Sequence, residues 1–167
     1  MKNYAVFYEN LTEPIRTRPG LIRLIKWTNS LITKLMPILY LLLLAYLCWS
    51  QKTIGALGPY IIIPATAFIL LSLVRRILNS PRPYEVWEIQ PLITKQTKGQ
   101  SMPSRHVFSA TVISVCVLHE TLFLGLVLLL LSLLLALCRV LGGVHYPKDV
   151  IAGYLIGLAA GSLLFLL

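Results

Sequence analysis

The chain has 167 residues, of which 57% are hydrophobic and only 13% are charged, and its net charge at pH 7 is +9. About a quarter of the residues in a soluble domain are charged, so this composition excludes an ordinary soluble protein. Several apolar runs are long enough to cross a bilayer. Because the basic residues flank those runs, we expect anionic lipid headgroups and a phosphorylated ligand as partners, and no nucleic acid.

The N-terminal segment, residues 1–34, is polar or amphipathic. Pro14, Pro19 and Gly20 predict that residues 1–20 form no regular element, and no secretory signal peptide is expected. Residues 21–34 place apolar side chains near one helical face with basic ones among them, which predicts an amphipathic helix at the membrane interface. A polar extension of the first span is the open alternative.

Five apolar runs follow and are predicted to span the membrane: residues 35–49, 60–74, 104–118, 122–138 and 150–167. The sequence thus predicts an all-α fold, a polytopic membrane helix bundle of about five transmembrane helices plus an N-terminal interfacial helix, in a single domain over residues 1–167. The connections are short except for residues 84–102. A long loop in a compact chain is often functional, so this one is predicted to cap the site side of the bundle.

Three polar clusters stand at the ends of apolar runs: residues 75–83 (RRILNSPRP), residues 103–106 (PSRH) and residues 139–149 (RVLGGVHYPKD). With five spans, the connections that carry them fall on the same side, so all three clusters meet on one membrane face. Cations in or beside a bilayer are costly and need a reason. Arginine holds phosphate oxygens in a fixed fork, and histidine can attack or move protons. The clusters together predict phosphate chemistry.

The third cluster places His145 just before Pro147 and Asp149, at the start of an apolar helix. Proline is favoured in the first helical turn, so Asp149 lies there and can reach back to the His145 ring. A carboxylate that fixes the imidazole tautomer leaves the other nitrogen free to attack. Arg139 lies across two glycines, which let the backbone approach a ligand. A histidine that merely caps the helix beside an aspartate is the structural alternative.

The other two clusters carry cations beside a helix end. Ser104 is placed as an N-cap, so its helix offers free N–H groups to an anion, with Arg105 and His106 in the first turn and His106 as a candidate acid. Arg75 and Arg82 end the second span, and Arg82 lies between two prolines that hold an extended backbone. A capping serine with interfacial cations, and basic residues that anchor a span, are the simpler interpretations.

In this order and spacing, the clusters closely resemble the tripartite signature of the type 2 phosphatidic acid phosphatase (PAP2) superfamily, usually written K-x6-RP, PSGH and SR-x5-H-x3-D. The resemblance covers residues 75–149. Arg75 replaces the leading lysine, Arg105 the glycine of the second motif, and Cys138 the serine of the third. The chain is also short, and many family members have six spans.

The resemblance implies a role for each matching residue. His145 would attack phosphorus and form a phosphohistidine, Asp149 would orient it, and His106 would protonate the leaving oxygen and then activate water. The phosphoryl oxygens would be bound by Arg75, Arg82, Arg139 and the Ser104 hydroxyl. Arg105, which departs from the motif, would add a further cation that binds the phosphate. No cofactor and no metal is implied, because the guanidinium groups supply the countercharge.

The expected activity is hydrolysis of a lipid phosphomonoester or diphosphate, with phosphatidic acid, phosphatidylglycerol phosphate and undecaprenyl diphosphate all left open. A non-catalytic lipid-phosphate binder or transporter is the alternative, followed by a haloperoxidase-like activity and an anion-binding structural subunit. The chain is expected to be a multi-pass protein of the plasma membrane. Every Lys and Arg except Lys52 falls on the site face, so the positive-inside rule predicts a site at the cytoplasmic membrane–water interface. The oligomeric state stays open.

Overall fold

Seven α-helices form the chain in the computed structural model, which describes residues 3–51 and 54–167. They are α1 (Tyr4–Arg16), α2 (Pro19–Gln51), α3 (Gly58–Leu78), α4 (Pro83–Val86), α5 (Arg105–Glu120), α6 (Leu122–Leu141) and α7 (Pro147–Ser162). Short 3-10 turns, Ile54–Leu57 and Leu163–Leu166, precede α3 and follow α7. No strand occurs in these two ranges, so the predicted all-α class is confirmed. Lys52 lies outside the described residues.

Four segments of the described chain are long and apolar enough to cross a membrane: Pro19–Ser50, Gly55–Val86, Leu122–Leu141 and Pro147–Leu166. The predicted third span is α5, which has only 16 residues. It lies at the centre of the bundle and contacts α2, α3, α6 and α7. The membrane helix bundle predicted from the sequence is therefore confirmed, with α5 at its centre.

Glycines set the packing of α7 against α5. Gly153, Gly157 and Gly161 recur every four residues along one face of α7. A Cβ atom on Gly153 would lie 2.6 Å from the Ser104 carbonyl oxygen, and one on Gly157 would lie 2.8 Å from the Thr111 Cβ atom. Small residues at this spacing let two helices approach closely within a membrane. The approach holds together the starts of α5 and α7, which carry the second and third polar clusters.

The predicted interfacial segment, residues 21–34, and the first span form one continuous helix, α2. At 33 residues, α2 is about 50 Å long at 1.5 Å per residue and exceeds the thickness of a bilayer core. In α3, Pro64 has no N–H to give to the carbonyl of Tyr60. The Tyr40 hydroxyl of α2 donates to that carbonyl at 2.7 Å instead.

The expectation that residues 1–20 are irregular is wrong, because α1 forms there. The Asn3 side chain accepts a hydrogen bond from the Val6 N–H and caps the helix. Tyr4, Tyr8 and Thr12 recur every four residues and bury one face of α1. Prolines and a glycine suggested a break, but tertiary packing of this buried face outweighs local propensity.

Residues 84–102, the predicted site-side loop, contain most of the single turn of α4 at their start. The remainder carries no regular helix up to the start of α5. Backbone polar groups of such a loop need partners from elsewhere. Tyr8 provides one, because its hydroxyl accepts from the Leu92 N–H at 3.2 Å while donating to the Leu141 carbonyl at 2.9 Å. Helix α1 thereby ties the loop to the end of α6.

Candidate active site

All three polar clusters meet at one end of the bundle, where α3 and α6 end and α5 and α7 begin. The Ser104 N–H donates to the Asp149 carbonyl at 2.8 Å, and Arg82 Nη1 donates to the Val144 carbonyl at 3.1 Å. A cavity of about 220 Å³ lies where the three clusters meet. It is lined by Arg75, Arg82, Lys95, Thr97, Lys98, Gly99, Gln100, Arg105, His106 and His145.

His145 and Asp149 are joined through a third residue, Ser101. The direct distance from His145 Nδ1 to Asp149 Oδ2 is 3.6 Å, too long for a hydrogen bond. The Ser101 hydroxyl donates to Asp149 Oδ2 at 2.5 Å and lies 3.4 Å from His145 Nδ1. Asp149 Oδ2 also accepts from the Tyr146 N–H at 3.0 Å. We call Ser101, His145 and Asp149 the site trio.

The site trio fixes the proton of His145. With the Ser101 O–H directed at the carboxylate, the Ser101 oxygen is free to accept from His145 Nδ1–H. The lone pair of the neutral ring is then on Nε2. His145 is 1% exposed and lines the cavity, and its burial lowers its pKa, an effect that the hydrogen bonding and charge of Asp149 only partly offset. A neutral imidazole with a fixed tautomer is the form that can act as a nucleophile.

His106 is held by Arg139. Arg139 Nη2 lies 3.3 Å from His106 Nδ1, and Arg139 Nη1 donates to Asn29 Oδ1 at 3.2 Å. A guanidinium group only donates, so His106 Nδ1 accepts and the ring proton of the neutral form is on Nε2. Asn29 belongs to α2, so this helix also contributes to the position of the Arg139 side chain.

Arg75 and Arg82 direct part of their donors at backbone carbonyls of the loop before α5. Arg75 donates to the carbonyls of Gln100, Ser101 and Pro103. Arg82 Nε donates to the Gly99 carbonyl at 3.1 Å. These bonds hold the loop over the cavity, and the remaining N–H groups of the two guanidiniums stay available for an anion.

Ser104 and Arg105 stand where α5 begins. Ser104 is the N-cap residue, yet its hydroxyl makes no capping bond. That hydroxyl is buried and has no hydrogen-bond partner within residues 3–51 and 54–167, and a buried polar group in that state calls for a ligand or water. Arg105 is exposed, lines the cavity and lies with its Cζ 5.7 Å from the centre of the Phe68 ring.

Every residue predicted from the clusters therefore lies at this end of the bundle, but the sequence analysis missed Ser101, Asn29 and Lys95. Ser101 lies three residues before Ser104, and only the return of the loop brings it to Asp149. Asn29 comes from a distant helix, and Lys95 from a loop without periodicity, so spacing gave no signal for either. No group of three His, Cys, Asp or Glu side chains suited to a metal ion occurs in the described part of the chain.

An apolar groove leads away from the polar cavity between α2, α3 and α5. Its first part, about 240 Å³, includes Arg105 and His106 together with Met36 and Phe68. Its second part, about 440 Å³, shares Phe68 with the first and continues along Leu44. The polar cavity and the groove therefore share Arg105 and His106, and the groove runs in the direction of the membrane-spanning part of the bundle.

Comparison with known families identifies the family and the fold. The PAP2 superfamily profile matches residues 56–167, well over half of the chain. The chain belongs to the PAP2 superfamily. It is an integral membrane protein. Undecaprenyl-diphosphatase BcrC of Bacillus subtilis (strain 168) is 30% identical over 93 residues, which cover 56% of this chain and 48% of that protein. The chain thus spans about half the length of the curated relative it matches.

Two solved PAP2-type structures share the architecture. The transmembrane PAP2-type phosphatidylglycerolphosphate phosphatase from Bacillus subtilis superposes with a TM-score of 0.69 and 22% identity, over 89% of this chain and 76% of that one. LpxE from Aquifex aeolicus superposes with a TM-score of 0.64 and 25% identity, over 87% of this chain and 94% of that one. The first likeness shows the fold alone. Both cover more of the chain than the profile match does, so the shared architecture includes part of α2.

Proposed function

We propose that this PAP2 protein is a membrane phosphatase that hydrolyses the phosphomonoester or diphosphate of a lipid. The observation that carries the proposal is that the polar cavity and the apolar groove lie next to each other. A cavity rich in arginine, with two histidines, adjoins an apolar groove, and Arg105 and His106 line both. A phosphate with a hydrocarbon tail matches both parts. The names of the relatives support lipid phosphates as substrates, namely undecaprenyl diphosphate for one and phosphatidylglycerol phosphate for another.

In the proposed first step, His145 Nε2 attacks phosphorus and the bond from phosphorus to the leaving oxygen breaks. The site trio keeps the Nε2 lone pair available, and the growing positive charge on the ring is offset by Asp149 through Ser101. The phosphoryl oxygens are held by Arg75, Arg82, Arg105, Arg139 and the Ser104 hydroxyl. Catalysis of phosphoryl transfer depends chiefly on such positioning and charge stabilisation.

We propose that His106 is the general acid for the leaving group and then the general base for the attacking water. Its Nδ1 faces Arg139, so the ring can become an imidazolium only when that guanidinium turns to the phosphate dianion. The imidazolium then donates from Nε2 to the leaving oxygen, and the neutral ring takes a proton from the water that attacks the phosphohistidine. The second step releases inorganic phosphate and restores both histidines.

The proposal is tested by phosphate release in detergent with EDTA present. The panel contains phosphatidic acid, phosphatidylglycerol phosphate and undecaprenyl diphosphate, and wild type is compared with His145→Ala. Release by wild type alone, with a 32P-labelled protein trapped by acid quench, supports a histidine phosphatase. Tight binding of a lipid without release by either protein would instead establish the alternative, a lipid-phosphate binding or transport protein.

We further propose that the protein resides in the plasma membrane with its site facing the cytoplasm. The described basic residues concentrate at the site end, where the N-terminal part of α2 also carries Arg23 and Lys26. Such residues favour the cytoplasmic side. A cysteine introduced by Lys98→Cys should resist an impermeant maleimide in intact cells and react after lysis. Labelling in intact cells would place the site outside.

A further inference from the structure

Lys95 is a cation in the cavity that the PAP2 motifs do not include. It belongs to the irregular segment between α4 and α5 and lines the cavity together with His106 and His145. Its side chain is half-buried, and its ammonium group forms no hydrogen bond to any residue in the described ranges. A lysine in a loop normally extends into water, so this position needs an explanation.

The surroundings of Lys95 are unfavourable for a positive charge. Burial and, to a smaller extent, the nearby guanidiniums of Arg139, Arg82, Arg105 and Arg75 together lower the pKa of Lys95 to about 8. No carboxylate lines the cavity. A cation kept among cations without a partner is stabilised only when an anion binds. The excess of positive charge therefore points to a ligand with a high negative charge.

The arginines already suffice for one phosphoryl group. A phosphomonoester carries about −1.5 to −2 charges at pH 7, and Arg75, Arg82 and Arg139 all have N–H groups left after their protein contacts. A diphosphate adds a second phosphoryl group with its own charge. This group lies between the reacting phosphorus and the lipid tail, so it must sit near Arg105 and His106, which line both the cavity and the groove. Lys95 lines the same cavity.

We propose that Lys95 binds the tail-linked phosphoryl group of a lipid diphosphate and makes the protein prefer diphosphates to monophosphates with the same tail. The inference rests on the proposed function and names its substrate class. As His145 Nε2 bonds to the terminal phosphorus, the electron pair of the breaking P–O bond goes to the bridging oxygen of the departing lipid monophosphate. The Lys95 ammonium stabilises the charge that grows there.

Kinetics on a matched pair of substrates tests the inference. Farnesyl diphosphate and farnesyl monophosphate are compared in detergent for wild type, Lys95→Met, Lys95→Arg and a control, Lys148→Met, whose lysine lies over the Tyr146 ring outside this cavity. Loss of one charge-assisted hydrogen bond should lower kcat/KM for the diphosphate about 10- to 100-fold in Lys95→Met. The monophosphate should change less than about threefold, Lys95→Arg should retain most of the preference, and the control should match wild type.

A binding measurement separates this inference from the proposed function. Calorimetry of both substrates on His145→Ala and on His145→Ala with Lys95→Met needs no turnover. A preference for the diphosphate that disappears with Lys95 supports the inference even if wild type proves inactive. Equal losses for both substrates, or no loss for either, would overturn it while phosphate release by wild type still upheld the phosphatase.

Discussion

The two ends of the bundle each carry a histidine, a carboxylate and a hydroxyl, and their surroundings differ. At the site end the site trio is buried, with His145 and Asp149 side chains 1% exposed. At the other end Tyr60, His119 and Glu120 form a far trio. The Tyr60 hydroxyl lies 2.7 Å from His119 Nδ1 and donates to Glu120, and the His119 and Glu120 side chains are 35% and 23% exposed.

Residue types alone therefore do not make a phosphate site. The site trio adjoins a cavity with four arginines in or beside it, whereas no arginine or lysine of the described chain hydrogen-bonds to the far trio. Burial strengthens each electrostatic interaction at the site end, and water weakens those at the other. The cavity and its cations, together with burial, distinguish the candidate catalytic trio from the far trio.

Replacing the histidine of each trio gives the largest expected contrast. His145→Ala removes the proposed nucleophile and should lower kcat for lipid phosphate hydrolysis by about 10⁴-fold or more. His119→Ala is the matched control and should stay within about threefold of wild type, because its effect is on local packing. Both are measured by phosphate release per folded protein, with folding checked by size-exclusion chromatography. Comparable losses in the two variants would show that the ends are not functionally distinct.

Replacing the hydroxyl of each trio should give a smaller contrast. Ser101→Ala removes the link between His145 and Asp149 and should lower kcat about tenfold, the effect of one hydrogen bond to a charged group. KM should change little, because Ser101 is not among the residues that line the cavity. Tyr60→Phe, at the far trio, should leave both constants near wild type. A rise in KM with unchanged kcat for Ser101→Ala would argue against its positioning role.

The smallest effect concerns stability at low pH. The pKa of native His145 lies below its unfolded value, so the unfolded state binds the extra proton as the pH falls below about 6.5. Stability should then fall as the pH is lowered from 7.5 to 5, and Tm in detergent should drop by a few degrees. His145→Gln should make this decline shallower, whereas His119→Gln should leave it as in wild type. An equal decline in wild type and His145→Gln would contradict the burial argument.

Much of the candidate site could be predicted from the sequence because its residues stand at fixed short spacings. His145 and Asp149 are four apart across a helix start, so local geometry alone brings them near each other. Arg139 lies in the last turn of α6, only six residues before His145, so local geometry also keeps it near the site. Lys95 and Asn29 could not be predicted, since their proximity depends on how a loop and a distant helix fold back.

The sequence by itself determined the helical membrane bundle, the single face for the three clusters and the family. Hydrophobic run length and motif spacing are local properties. The number of spans between two connections determines whether those connections lie on the same membrane face. Only the packed helices show that α1 forms despite Pro14, that Ser101 bridges His145 and Asp149, and that the polar cavity adjoins an apolar groove. Each of these depends on contacts between residues far apart in the chain, and such contacts arise only when the helices pack together.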